Sequence, residues 1–310
     1  MIDPDSGPRV AAFTRLNELT ARHGGAVPWH AIEAGFEYGD QHFKFASRAE
    51  GIFKPKGFTS LLSVKTVVPK PKRRIWYEDQ GTSPSYDDSV SGDVFSYAFT
   101  GQDQDDARNR WLREAMELDT PVIYFVGVAP GVYDPIFPVF VVGWDPIGLS
   151  CKIAMTPDQR VLQVGEFSIP PERSYAMRQV RARLHQSAFR ERVLHAYDRR
   201  CALSGLPEIS LIDAAHIIRD GDAELGQPDV RNGICMSKIH HAAFDSGLIG
   251  IDPDYKIHIS ERLLELHDGP MLEFGLKALQ GTGLRKPDDQ RFWPDRQRLE
   301  IHFARYRASS

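Results

Sequence analysis

Two consecutive prolines, Pro170 and Pro171, divide the sequence into parts written in different periods. Neither proline can donate to a strand ladder, so the strand series ends at this point. Upstream the chain consists mainly of short β-type runs, HFKF, SLLSVKTVV, RRIWY, VFSYAF, PVIYFVGV and FPVFVVGW, separated by Gly, Pro and Asp. One helix precedes them, where Val10, Phe13, Leu16 and Leu19 recur at three-residue steps before Gly24-Gly25, and another interrupts them at 108–118. Downstream, Met177, Val180, Leu184, Ala188, Val193 and Tyr197 predict a helix over 174–200. Short strands follow at 211–217 and 248–259, with helices at 238–244, 271–279 and 296–306. The pattern predicts an α+β chain of two domains, 1–170 barrel-like and 171–310 mixed, in keeping with 310 residues at roughly 150 per domain.

A formal net charge of −4 argues, as a sum, against a nucleic-acid partner. Resolved along the chain it says something else. Residues 44–74 hold nine basic side chains against Glu50 alone, residues 78–119 hold eleven acids against three arginines, and residues 173–200 hold eight arginines against Glu191 and Asp198. Two basic stretches flanking an acidic one predict separate phosphate-contacting surfaces. No apolar run reaches 18 residues and the N-terminus MIDPDSGPRV lacks the pattern of a signal peptide, so a cytoplasmic protein without a membrane partner is expected.

The densest cluster of catalytic-type residues is DAAHI, then NG, then HHAAFDSGL, which contributes His216, Asn232 and His241 from a predicted strand, loop and helix. These words in this order resemble the HNH nucleases, in the subgroup with AAHI, NG and HxxFDxGL, over roughly residues 190–259. The resemblance implies a ββα-metal fold, with His216 as general base, Asn232 orienting that base through the loop backbone, and His241 ligating a divalent cation, Mg²⁺ or Mn²⁺. Successive helical side chains diverge by about 100°, so only one of His240 and His241 can face the cation, and the following xxFD word selects His241. Many relatives carry an acid directly before the base, where this chain has Ala215. Asp213, on the same strand face, either reaches the metal or stabilises the strand. Relatives with structural zinc use two CxxC pairs. Here CALS at Cys201 and CMSK at Cys235 each lack the second cysteine, so no structural zinc is expected and both cysteines read as small buried apolar residues.

The upstream half holds GIFKPKGFTSLLSVKT, YDDSVSGDVFSYAFTG, DDARNRWLREA and TPVIYFVGV, an order that resembles the SRA domains, PUA-like barrels that recognise modified cytosine. That resemblance implies base flipping into a pocket in which Tyr86 and Tyr97, or Phe99, stack on the base and Asp87 or Asp88 accepts from the cytosine amino group. Arg48, Lys54, Lys56, Arg73 and Arg74 would hold phosphates around it, joined by Arg178, Arg181 and Arg183 from the basic helix. The full expectation is an SRA/PUA-like β-barrel domain joined by a basic helix to an HNH nuclease domain. Such a chain is a type IV-like restriction endonuclease acting on double-stranded DNA with modified bases. One HNH site cuts one strand, so cleavage of both predicts a homodimer. The alternatives are a reader with an inactive nuclease site, or a nuclease whose first domain senses another signal.

Overall fold

The computed structural model describes residues 3–68, 94–155, 171–219, 222, 224–227, 229–267 and 269–309, with the backbone alone at 171–181 and 309. The chain forms two compact units, Met1–Ser187 and Ala188–Ser310.

The first unit opens with α1 (Ser6–His23), which Gly24 closes in the left-handed conformation at φ 72°. Its buried face keeps Leu16 and Leu19 of the expected stripe and departs from it at the N-terminal end. Val10 is 62% exposed, while Arg9 is buried beside Ala12, Leu16 and Leu19. Four of the five guanidinium N–H groups are engaged, donating to Leu61 O, Pro121 O, Ser60 Oγ and Asp3 Oδ2. Asp5 accepts in turn from Thr59 N and Ser60 N, so a polar network ties the helix to the chain entering the sheet.

The elements that follow are β1 (Val27–Pro28), α2 (Trp29–Glu33), β2 (Phe36–Tyr38), β3 (Gln41–Phe43), β4 (Ile52–Phe53), β5 (Ser63–Lys65), β6 (Val94–Ala98), α3 (Ala107–Glu117), β7 (Val122–Ala129), β8 (Val132–Asp145) and β9 (Ser150–Ala154). They form one mixed sheet in the order β4-β5-β7-β8-β9-β6, with β1 also on β8, while β2 and β3 pair as a separate hairpin. Among the described strands only β5 and β7 run parallel. Strand β8 pairs with β7 along its first residues and with β9 along its last, through register shifts in both ladders, and such irregularities increase the twist that curls a sheet. Phe36, Phe43, Phe45, Phe58 and Phe125 fill the space between the sheet and α1.

Helix α4 (Pro171–Ala196) begins at the second proline, earlier than the expected start at 174, and ends before the expected 200. The division between the compact units falls inside it, at Ser187, and not at its first residue. Arg183 and Ser187 account for that shift from the expected boundary at 170/171. Ser187 Oγ donates to Asp134 Oδ2 at 2.9 Å and Arg183 lies 3.1 Å from Asp134 Oδ1, so this stretch belongs with strand β8.

In the second unit β10 (Ile212–His216) and β11 (Gly233–Ser237) pair antiparallel, from Ile212 opposite Ser237 to His216 opposite Gly233. Strand β11 runs directly into α5 (Lys238–Asp245), whose N-cap Ser237 accepts from His240 N. Strands β12 (Ile249–Ile251) and β13 (Ile257–Ile259) form a second hairpin, followed by α6 (Glu261–Leu264), α7 (Pro270–Gly275) and α8 (Arg296–Ser309). Phe189, Val193, Tyr197, Ile212, Ile234, Met236, Phe244 and Ile257 belong to its core. Among the described residues no helix is long and apolar enough to cross a membrane.

Candidate active site

Strand β10 ends on His216, and the backbone beyond it is held by one side chain. Asn232 is fully buried. Its Oδ1 accepts from Ile218 N at 2.9 Å, and its Nδ2 donates to Ile218 O at 2.9 Å and to Gln227 O at 3.2 Å. Its carbonyl also accepts from Ile217 N. The amide thus bonds residue 218 as a neighbouring strand would, fixing the backbone immediately after His216.

The His216 ring is fixed from another side. Phe189 of α4 stacks on it with centroids 4.0 Å apart and planes at 17°. Gly233, opposite His216 in the ladder, makes room for that contact. A Cβ there would lie 2.8 Å from Phe189 Cζ and closer still to Val193 Cγ2. Its φ of −127° suits any residue, so what the NG word requires at this glycine is space.

On α5 the two adjacent histidines diverge as helix geometry demands. His240 is buried, with Nδ1 3.3 Å from Cys201 Sγ and Nε2 2.8 Å from Gly275 O. His241 is turned outward, its side chain 24% exposed between two carboxylates: Nδ1 is 3.9 Å from Asp213 Oδ2, and Nε2 is 3.3 Å from Asp245 Oδ2. Asp213 therefore faces His241. Its other oxygen, Oδ1, accepts from Arg190 Nε at 3.1 Å and from its neighbour's amide, Ala214 N, at 2.9 Å. Sequence reasoning missed Asp245 as a partner of His241. The signal for it was present, since residues 241 and 245 are one helical turn apart. Phe189 and Arg190 carried no such signal because they lie outside the motif words.

One carboxylate oxygen and one imidazole nitrogen make a donor set that suits a divalent cation. With a proton on Nε2 facing Asp245, the Nδ1 lone pair of His241 turns toward Asp213, an arrangement in which one carboxylate orients an imidazole and another ligates beside it. Among the described residues no three His, Cys, Asp or Glu side chains converge as one metal-binding group. Mg²⁺ commonly takes only one or two protein ligands and completes its shell with water and phosphate oxygens, so two donors are a sufficient protein share.

The cysteines behave differently from each other. Burial pushes the Cys235 thiol up to about 12, as expected for an apolar-like residue. Cys201 corrects that expectation. Burial again acts to raise its pKa, but contacts from His240, Ser204 and Leu203 outweigh it and bring the thiol down to about 6. Ser204 N and Ser237 N both donate to its sulfur. His240 responds in the opposite sense: burial works to lower its pKa, and the bonds to Cys201 and Gly275 raise it. Cys201 is therefore a polar anchor for the start of α5.

Of the expected base-pocket residues, Tyr86, Asp87 and Asp88 lie outside the described residues, as do Arg73 and Arg74. Tyr97 and Phe99 are taken up in the core, 3% and 1% exposed. Tyr97 meets Tyr124 edge-on and its hydroxyl donates to Lys65 O, while Phe99 packs on Trp144. As arranged, neither ring presents a face to a base. Arg48 and Lys56 are exposed, and Lys54 lies over the Trp111 ring at 4.7 Å. The side chains of Arg178 and Arg181 are outside the description. Arg183, half exposed, pairs with the buried carboxylate of Asp134.

Residues 201–252 match the family described as HNH endonuclease. The second unit contains an HNH endonuclease domain. This segment holds the three motif residues, Asp213 and Asp245, and excludes Phe189 and Arg190. Comparison with curated proteins gives no match. Among solved structures, one match is a protein described as a modification dependent TagI restriction endonuclease, 15% identical, covering 79% of this chain and 81% of that chain at a TM-score of 0.30.

Proposed function

We propose that the chain is a modification-dependent, type IV-like restriction endonuclease that hydrolyses phosphodiester bonds of double-stranded DNA with a ββα-metal HNH centre. The observation that carries the nuclease reading is His241 between Asp213 and Asp245, on the helix that follows the His216 hairpin. A divalent cation, Mg²⁺ or Mn²⁺, would neutralise charge building on the scissile phosphate. His241 and Asp213 would hold it. A neutral ring nitrogen of His216 takes the proton of the attacking water, and the Asn232 clamp together with the Phe189 stack holds that ring in place. Asp213 thereby supplies the carboxylate that Ala215 cannot.

The first unit is the reader in this proposal, extruding a modified cytosine from the duplex. The word order across residues 48–144 supports it, as do the basic residues preceding the acidic stretch. Residues 69–93 would supply the pocket, through Tyr86, Asp87 and Asp88, with Arg73 and Arg74 on the flanking phosphates. Cleavage of both strands would require a homodimer or transient pairing. The deciding experiment offers matched duplexes carrying cytosine, 5-methylcytosine, 5-hydroxymethylcytosine or glucosylated cytosine with Mg²⁺ or Mn²⁺. Metal-dependent cleavage confined to one or more modified duplexes is expected. Equal cleavage of all four removes the reader, and binding of a modified duplex without cleavage under either metal removes the nuclease.

A further inference from the structure

We propose that Arg190, outside the segment matched to HNH enzymes, is a positioning residue of the nuclease centre, holding one oxygen of Asp213 so that the other faces His241. The inference rests on the reading above that Asp213 is a metal ligand. The guanidinium is 17% exposed and makes four polar contacts: Nε to Asp213 Oδ1 at 3.1 Å, one terminal nitrogen to Glu191 Oε1 at 3.0 Å, and the other to Ile209 O at 3.3 Å and Ile212 O at 3.0 Å. Four of its five N–H groups are thus directed, and a planar fork with so many fixed acceptors has little freedom to turn. The two carbonyls belong to the approach to β10 and to its first residue, so the group is referenced to the strand that carries Asp213.

The consequence for Asp213 is geometric. Oδ1 is occupied twice, by Arg190 Nε and Ala214 N, leaving Oδ2 as the oxygen toward His241 Nδ1. Arg190 therefore makes Asp213 a one-oxygen ligand with a fixed direction. Its positive charge does not repel a cation unopposed, because Glu191, 4% exposed, is paired with Arg190 on one oxygen and with Arg199 on the other at 3.1 Å. The two arginines and two carboxylates sum to zero before an ion arrives. The neighbouring residue on α4, Phe189, contacts His216, so consecutive helix positions serve the proposed ligand and the proposed base.

The test is Mn²⁺ binding to the full chain, followed by the electron paramagnetic resonance of free Mn²⁺, with and without duplex DNA. Four proteins are compared: wild type, Arg190→Gln, Asp213→Asn and the double variant. Groups that orient a ligand typically contribute 10–100-fold in metal affinity, so Arg190→Gln is expected to weaken Mn²⁺ binding by roughly that factor. The double variant should bind as Asp213→Asn alone does, because Arg190 acts through Asp213. Glu191 keeps Arg199 when Arg190 is replaced. Should Arg190→Gln still fail to fold, Arg190→Lys retains the charge, and it is expected to lose affinity too because an ammonium cannot reproduce the fork. Unchanged Mn²⁺ affinity in the folded Arg190 variant, with Asp213→Asn impaired, overturns the inference, as do losses that add in the double variant. Wild-type affinity in Asp213→Asn refutes instead the reading of Asp213 as a ligand.

Discussion

His241 faces solvent because His240 does not. The buried neighbour is fastened at both ring nitrogens, to Cys201 and to Gly275, and this sets the rotation of α5 about its axis. His216→Ala and His241→Ala are each expected to reduce nicking by about 10²–10⁴-fold while DNA binding persists, since proton transfer to a positioned base contributes on that scale and metal-centre losses are comparable. Plasmid nicking beside a gel-shift assay checks this. Cys201→Ala removes the acceptor facing His240, Ser204 N and Ser237 N, and should destabilise the fold by about 1–3 kcal/mol. The sign of its pH dependence follows from the thiol's depressed value. A thiol lowered from its ordinary 9.0 to about 6 stabilises the fold above the unfolded value and ceases to do so as pH falls through about 6. Urea midpoints for wild type and Cys201→Ala should therefore converge between pH 9 and pH 6. A gap that widens toward pH 6 would contradict the assignment.

At the scale of elements, the hairpin β10–β11 with α5 and the end of α4 form the working unit. Gly233→Ala tests how they are joined, since its methyl would enter the space of Phe189 and Val193. Overpacking of this kind typically costs about 1–3 kcal/mol, and displacing Phe189 should also lower nicking through His216. Thermal unfolding and the nicking rate should fall together. If both stay at wild-type values, the close packing around Gly233 is not required. The motif elements were legible in the sequence because strand, loop and helix each carry their own word, and α5 was expected at 238–244 and found as Lys238–Asp245. The supporting residues were not legible. Phe189 reads as one more apolar position on a helix, and Arg190 as one more arginine in a basic run. Helix α1 shows the same limit: its existence and the burial of Leu16 and Leu19 followed from periodicity, but the burial of Arg9 did not, because it rests on hydrogen bonds to carbonyls remote in sequence.

Across the whole molecule, charge runs proved to contain side chains of two kinds. Lys56 is exposed, and Lys56→Ala should reduce the slope of log DNA affinity against log salt by about 1 with stability unchanged. Arg183→Ala should do the reverse. It leaves the salt slope alone and lowers stability by about 1–3 kcal/mol, a figure reduced for the half-exposed guanidinium, because buried Asp134 loses its counter-charge. Fluorescence anisotropy over a salt series and chemical denaturation separate the two. A sequence reader sees the same positive charge at both positions. Only the partner, a carboxylate on β8 more than forty residues upstream, distinguishes them.

The Asn232 clamp also bears on how freely the connection between the two strands can change. The side chain grips residue 218 and Gln227 directly, and so sets the two ends of the segment between them. Closing a longer loop costs little, about 0.6 kcal/mol for each doubling in length. A short glycine-serine insertion between residues 219 and 222, ahead of Leu225, which packs on the core and accepts from Arg298, should therefore leave nicking near its original rate. This segment is thus a natural place to attach a probe or a second domain within reach of the cut.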